Sequence, residues 1–235
     1  MKFILLISIS IGFSYGTFGQ VREIAIVSSF AKREGSVSLA AGYDWELWKK
    51  KKFAVGTGLR FTSYIGANQY YQTAPAKLTS GGTGPLVIFK ENIEANIDTF
   101  LIPSPQVNFI NAFINIRYQV STKIHVGFNI DLIGFSVGRK QTGNYINRSA
   151  SPAGFMEGSK PTLFNVLLIS DNDRGSLNSE IYVKYYVSKA WAIKAGACFL
   201  FTEYTTDSEV QQKPEPNDRF RNKSLMAAIG LTFKL

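Results

Sequence analysis

The amino-acid sequence predicts an all-β protein: a transmembrane, antiparallel, up-and-down β-barrel of eight strands with short periplasmic turns and long external loops. Three observations carry that expectation. Apolar residues alternate with small or polar ones in segment after segment, the last being "AAIGLTFKL" at residues 227 to 235. The connections between these segments are short and long by turns. The chain is also aromatic, with 18 Phe and 11 Tyr in 235 residues, yet only 18% charged and of mean hydropathy -0.01. After its first residues it has no run of roughly 18 apolar residues such as a membrane helix needs. A barrel wall reconciles these numbers, because lipid-facing and lumen-facing residues alternate along each strand and average out.

The first residues set the compartment. "MKFILLISISIGFSYGTFGQ" places Lys2 before an apolar run from Phe3 to Phe13, with small residues around Gly16 and Gly19. That is the pattern of a cleaved secretory signal, and the apolar core is too short for a spanning helix. Residues 1 to 19 are expected to be a signal peptide and 20 to 235 the barrel domain, exported to a bacterial outer membrane. Cys198 is the single cysteine, which excludes an intramolecular disulfide framework. Without Lys2, 25 basic side chains stand against 17 acidic ones. Scattered lumenal and turn charges account for that excess, with outer-membrane lipid headgroups, not nucleic acid, as the partner next in order.

Read from the C-terminal end, the strands are expected at about 222 to 235, 190 to 204, 177 to 188, 124 to 137, 106 to 119, 53 to 66 and 35 to 48. An eighth, about 22 to 31, is joined to its neighbour by a tight "KREG" hairpin and makes the number even, as closure with both ends inside requires. Short connections fall at 49 to 52, 120 to 123 and 188 to 190; long ones run from about 67 to 105, 138 to 175 and 205 to 221. Ten strands is the alternative. In "PLVIFKENIEANIDTFLIP" the runs Leu86 to Phe89 and Thr99 to Ile102 would form a further hairpin, whereas Pro103 and Pro105 favour an external extension.

Parity assigns faces. Leu225, Ala227, Ile229, Leu231, Phe233 and Leu235 point outward, opposite Met226, Ala228, Gly230, Thr232 and Lys234. Upstream, Val126, Phe128, Ile130 and Leu132 are outward, and His125, Gly127, Asn129 and Asp131 inward. Trp45, Tyr64, Tyr118, Tyr185 and Trp191, near strand ends, are candidates for an interfacial aromatic girdle. Inward parity also falls on Glu23, Asp44, Glu46, Arg60, Arg117, Asp131, Lys184, Lys194 and Lys234. Buried charges are costly unless paired, so Asp44, Glu46 and Asp131 are expected to neutralise Arg60 and Arg117 in a lumenal network. A narrow selective channel is the other reading of those charges.

In its paired strands across a tiny turn, "NSEIYVKYYVSKAWAIKAGACFLFTEY", and its closing run "RFRNKSLMAAIGLTFKL", the chain resembles the outer-membrane β-barrel family. In plan it is similar to the small OmpA- and OmpX-type barrels and to the porin-family, PorT-like barrels associated with a secretion apparatus. The resemblance covers about residues 22 to 235. It implies insertion by the barrel-assembly machinery, which reads terminal strands such as the one carrying Ile229, Leu231, Phe233 and Leu235. It also admits a lipid-modifying enzyme, since the family includes such barrels.

Chemistry is sparse. A Ser-His mechanism needs a base, and the one histidine, His125, sits just past a short turn with lumenal parity. Cys198 reads as a small lumenal residue without a neighbouring His to form a thiolate. "SGGTGP" lacks the Lys-Ser/Thr pair of a phosphate loop, and "DNDRG" at 171 to 175 fails the calcium-loop spacing and reads as a solvated turn. "NRS" at 147 to 149 matches a glycosylation acceptor by pattern only, and the lysines at 49 to 52 read as a hydrated turn. The expectation is a non-catalytic barrel without cofactor or metal, acting through its external loops on a surface ligand or as part of an envelope or secretion assembly.

Overall fold

The computed structural model describes residues 20–47, 52–147, 154–168 and 172–235. The expected signal peptide, Lys49 to Lys51 of the lysine turn, Arg148 and Ser149 of the acceptor pattern, and Asp171 lie outside the described residues. The rest is all-β and antiparallel. In chain order its strands are β1 (Gln20–Ala31), β2 (Glu34–Leu47), β3 (Phe53–Gly66), β4 (Gln69–Thr73), β5 (Thr99–Ile102), β6 (Gln106–Gln119), β7 (Ile124–Val137), β8 (Gln141–Ile146), β9 (Phe155–Pro161), β10 (Phe164–Val166), β11 (Leu177–Tyr186), β12 (Trp191–Thr206) and β13 (Arg219–Lys234). Among the described residues no helix is long and apolar enough to cross a membrane.

The strand pairings close on themselves twice. One circuit runs β1-β2-β3-β6-β7-β11-β12-β13 and returns to β1, where Glu23 lies opposite Lys234 and Phe30 opposite Ala227. A second runs β13-β4-β5-β8-β9-β12 and shares the β12–β13 pair. The outer perimeter of the two together passes through twelve strands, and β10 adds to the edge of β7 beyond the start of β11. The expectation of one eight-strand ring is therefore not the whole account. The long connections carry strands of their own.

Why the second circuit exists follows from the first hairpin. A two-residue turn at Lys32 and Arg33, with Arg33 in the left-handed region at φ 63, ends β1 and β2 early. β13 continues past that turn, and its uncovered edge is taken up by β4, which pairs Thr73 with Phe220. Unpaired backbone polar groups are costly, so an edge left open by one short hairpin is filled by the next segment of chain. The run Leu86 to Phe89 coils into a 3-10 turn, Pro85–Phe89, and is not a strand; Thr99 to Ile102 is β5, between β4 and β8.

Alternation governs the long strands. Ile24, Ile26, Val37, Leu39, Leu59, Phe61, Ile114, Ile116, Phe128, Ile181, Val183, Ile193, Leu225, Ile229 and Leu231 are all exposed on the outer face. Their neighbours Ser38, Arg60, Thr62, Asn115, Asn129, Tyr182, Lys184 and Thr232 are buried. A water-soluble domain places these classes the other way round. One place departs from simple parity: Ala112 pairs with Ile133 but Phe113 with Asp131, so Leu132 is an extra residue in β7. This β-bulge shifts the outer face to Ile133, Phe135 and Val137 while keeping Asp131 inside, and the Leu132 carbonyl accepts from Leu167 N–H at 2.7 Å. Leu132 is consequently half-buried, not outward as parity alone predicts.

Candidate functional site

Arg60, 1% exposed, is the centre of the interior. Its Nη2 donates to Asp131 Oδ1 at 2.5 Å and to the Asn178 carbonyl at 2.6 Å, and its Nη1 donates to Asn129 Oδ1 at 2.7 Å. The second Asp131 oxygen accepts from Asn111 Nδ2 at 2.8 Å and from the Asn178 N–H at 2.9 Å. Glu180 lies 3.3 Å from Arg60 Nη1, pairs with Lys194 and accepts from Asn129 Nδ2 at 2.8 Å. Each buried charge thus has an opposite charge and hydrogen bonds, the condition under which burial is tolerated.

Nearer the short-turn end, Arg117 Nε donates to Asp44 Oδ2 at 3.0 Å and its Nη1 to His125 Nδ1 at 2.9 Å, with Glu46 Oε1 at 3.7 Å from Nη2. Asn115 joins this group to Tyr182, donating to Asp44 at 2.9 Å and accepting from the Tyr182 hydroxyl at 2.7 Å. Lys184 pairs with Glu23, and the Lys194 ammonium lies 4.4 Å from the centre of the Tyr182 ring. The rings and guanidinium groups leave a lumenal cavity of only about 40 Å³. Gly127 permits this filling, because a Cβ there would stand 2.4 Å from the Tyr182 hydroxyl oxygen.

At the long-loop end the interior turns apolar. Tyr64, Val107, Phe109, Leu200, Tyr204 and Phe220 from the long strands cluster with Tyr71 of β4, Phe100 and Ile102 of β5 and Tyr145 of β8. Tyr71 meets Tyr204 edge-on at 5.3 Å and shares a 3.0 Å hydrogen bond with Thr202. The Tyr145 hydroxyl donates to Asp98 at 2.6 Å, and its pKa is raised by burial first, then by that hydrogen bond and the Asp98 charge. The external strands are therefore packed onto the end of the long strands by a shared core.

Among the residues singled out from the sequence, Arg60 meets Asp131, while Arg117 meets Asp44 and Glu46. The outward face of β13 carries Ile229 and Leu231, both exposed, with Phe233 against Trp191 at 4.8 Å, and the exposed Leu235 follows the end of the strand. Tyr64 is not a girdle residue: it is fully buried and donates to Glu34 at 2.8 Å. Nor is the 171 to 175 segment a solvated turn throughout, because Asp173 is buried, accepting from Leu168 N–H at 2.6 Å through Oδ1 and from Arg219 at 3.0 Å through its carbonyl. Sequence reasoning missed Glu180, although the alternation that turns Tyr182 and Lys184 inward turns it inward too. It also missed Glu203, which accepts from Arg219 at 2.8 Å and Arg221 at 2.7 Å. Outward parity disguised that cluster, which is covered by the segment containing Thr162 and Asp173.

No family model and no curated protein sequence matches this chain. Solved structures similar to it include a major outer membrane protein from Thermus thermophilus, with 7% identity, TM-score 0.39, and coverage of 92% of this chain and 100% of that one. Neisserial surface protein A shows 8% identity, TM-score 0.36, and coverage of 93% and 97%. The attachment invasion locus protein Ail of Yersinia pestis, in complex with the heparin analogue sucrose octasulfate, shows 6% identity, TM-score 0.36, and coverage of 93% and 99%.

Proposed function

We propose that the chain is a non-catalytic outer-membrane β-barrel whose eight-strand circuit crosses the bilayer and whose external sheet binds a partner at the cell surface. The inverted polarity carries the reading: an apolar outer face around an interior of paired charges suits a lipid surround and a filled lumen. Four cations, Arg60, Arg117, Lys184 and Lys194, face five carboxylates, Glu23, Asp44, Glu46, Asp131 and Glu180, so the interior has no strong excess of either sign to select ions. The single histidine is engaged by Arg117 and lies 4.6 Å from the Tyr186 ring at a tilt of 54°, which favours a structural part for it over that of a catalytic base. Outward Ile229, Leu231, Phe233 and Leu235 are the residues we assign to recognition by the barrel-assembly machinery.

The external sheet, packed by its aromatic core, and the segment between β4 and β5 that exposes Leu86, 70% accessible, and Phe89, 79% accessible, are the proposed binding element. Binding residues on loops positioned by a rigid scaffold are a recurrent arrangement. The test is expression in a Gram-negative host. Folded protein from the outer membrane should migrate anomalously on a denaturing gel until boiled, and recovery in the soluble periplasm would overturn the location. Cross-linking in intact cells, with residues 76 to 97 replaced by a short Gly/Ser linker, should then lose a specific partner. An unchanged partner set would overturn the binding role of that segment.

A further inference from the structure

A second cavity, of about 440 Å³, opens at the short-turn end below the Arg60 network. Glu46, Arg117, Lys123, His125, Lys189 and Lys234 line it. Among the described residues that line it, four formal positive charges face one carboxylate, and counting Asp44 as well still leaves an excess of two. The built part of the cavity is Arg117, 3% exposed, whose Nη2 makes no hydrogen bond in its buried position and whose contact with Glu46 at 3.7 Å is too long to be one.

Arg117 also fixes the chemistry of its neighbour. A guanidinium can only donate, so His125 Nδ1 accepts from it; the imidazole is then neutral and carries its proton on Nε2. Arg117 and His125 are adjacent side chains that both line the cavity, and Arg117 Nη2 is a buried N–H donor without a hydrogen bond. Exposed Lys123, Lys189 and Lys234 surround them with positive charge. Above them the remaining lumenal space is about 40 Å³, so whatever enters must leave by the same mouth.

We infer that this vestibule is a binding site for a phosphate-class oxyanion, held by Arg117 Nη2 and His125 Nε2 and ringed by the three lysines. A planar guanidinium beside a second donor matches the several acceptor oxygens of a phosphoryl group, which a single chloride does not offer. Glu46 competes with the anion for Arg117. The source of the phosphoryl group is either free phosphate or a lipid headgroup, and only the second depends on the membrane reading given above.

The test uses folded protein in maltoside micelles, titrated calorimetrically with inorganic phosphate at ionic strength held constant by chloride. Binding is expected at one site per chain. Glu46→Gln should tighten it, and the paired substitution Lys189→Gln, Lys234→Gln should weaken it by roughly fivefold or more, the effect of losing about one close charge interaction. These positions keep Arg117 and its Asp44 partner in place, and unchanged heat-dependent gel migration verifies that the variants fold. A short-chain phosphatidic acid that competes with phosphate assigns the site to headgroups; phosphate binding undisturbed by that lipid assigns it to the free anion. Heats no greater than those of a chloride titration, or the same affinity in wild type and both variants, would overturn the proposal.

Discussion

Arg60 shows how much one interior side chain decides. It bridges β3 to β7 and β11, touching Asp131, Asn129, Asn178 and Glu180. Arg60→Met leaves Asp131 and Glu180 buried without their guanidinium partner, and breaking a buried pair on one side costs about 3–5 kcal/mol. Equilibrium unfolding in urea from detergent micelles should show that loss. The double substitution Arg60→Met with Asp131→Leu should recover part of it, because the stranded carboxylate is gone. A different residue governs the external sheet. Burial and the Asp98 contact raise the Tyr145 pKa in the folded protein above its ordinary value of 10.0. A raised folded value means that the stabilisation is complete below the ordinary value and is lost as pH rises toward and through the folded one. Raising the pH above about 10 should therefore loosen the external sheet, seen as faster proteolysis near residues 141 to 146, and Tyr145→Phe should remove that sensitivity.

Among the elements, β13 offers the sharpest contrast. Ile229 and Leu231 face outward within the pairing of β13 with both β1 and β12, and Leu235 lies just beyond the end of the strand. If the eight-strand circuit crosses a bilayer, Ile229→Arg should destabilise by about 2–4 kcal/mol, while Leu235→Arg should cost about 0–1 kcal/mol. Equal effects in a refolding titration into lipid vesicles would contradict the depth assignment. The spans of the long strands were legible in the sequence because each keeps an apolar alternation from end to end: 106 to 119 and 124 to 137 coincide with β6 and β7. The bulge was not legible, since Leu132 and Ile133 are both apolar and a one-residue insertion between them changes no composition. Nor was the external sheet, whose strands are short and whose partners are distant: β4 needs β13, and β9 needs β12. In the candidate site, parity brought out the inward charges but not their pairing, which depends on register across several strands; Glu203 escaped because its outward side is covered by chain far away in sequence.

Taken as a whole, the molecule has two different ends. One end is closed by an apolar aromatic cluster continuous with the external sheet, and the other opens into a cationic vestibule. Ions crossing from end to end would have to break the Arg60–Asp131–Glu180 group, so reconstitution into planar bilayers should give no steady conductance. Discrete current steps in wild-type protein would mean that the lumen opens. Weakening the seal with Arg60→Ala should be the first change to produce them.

The early turn at Lys32 and Arg33 has a consequence in time as well as in space. The edge it leaves free belongs to β13, which leaves the ribosome after every other described strand, and the far edge of the external sheet is held by β12. Residues 69 to 102 and 141 to 161 are made long before either clamp exists. Contacts between segments so distant in sequence form slowly, so the outer sheet must wait for the β12–β13 hairpin. During refolding, pulses of protease should cut these segments until β12 and β13 are protected, and a chain lacking β13 should never acquire a resistant exterior.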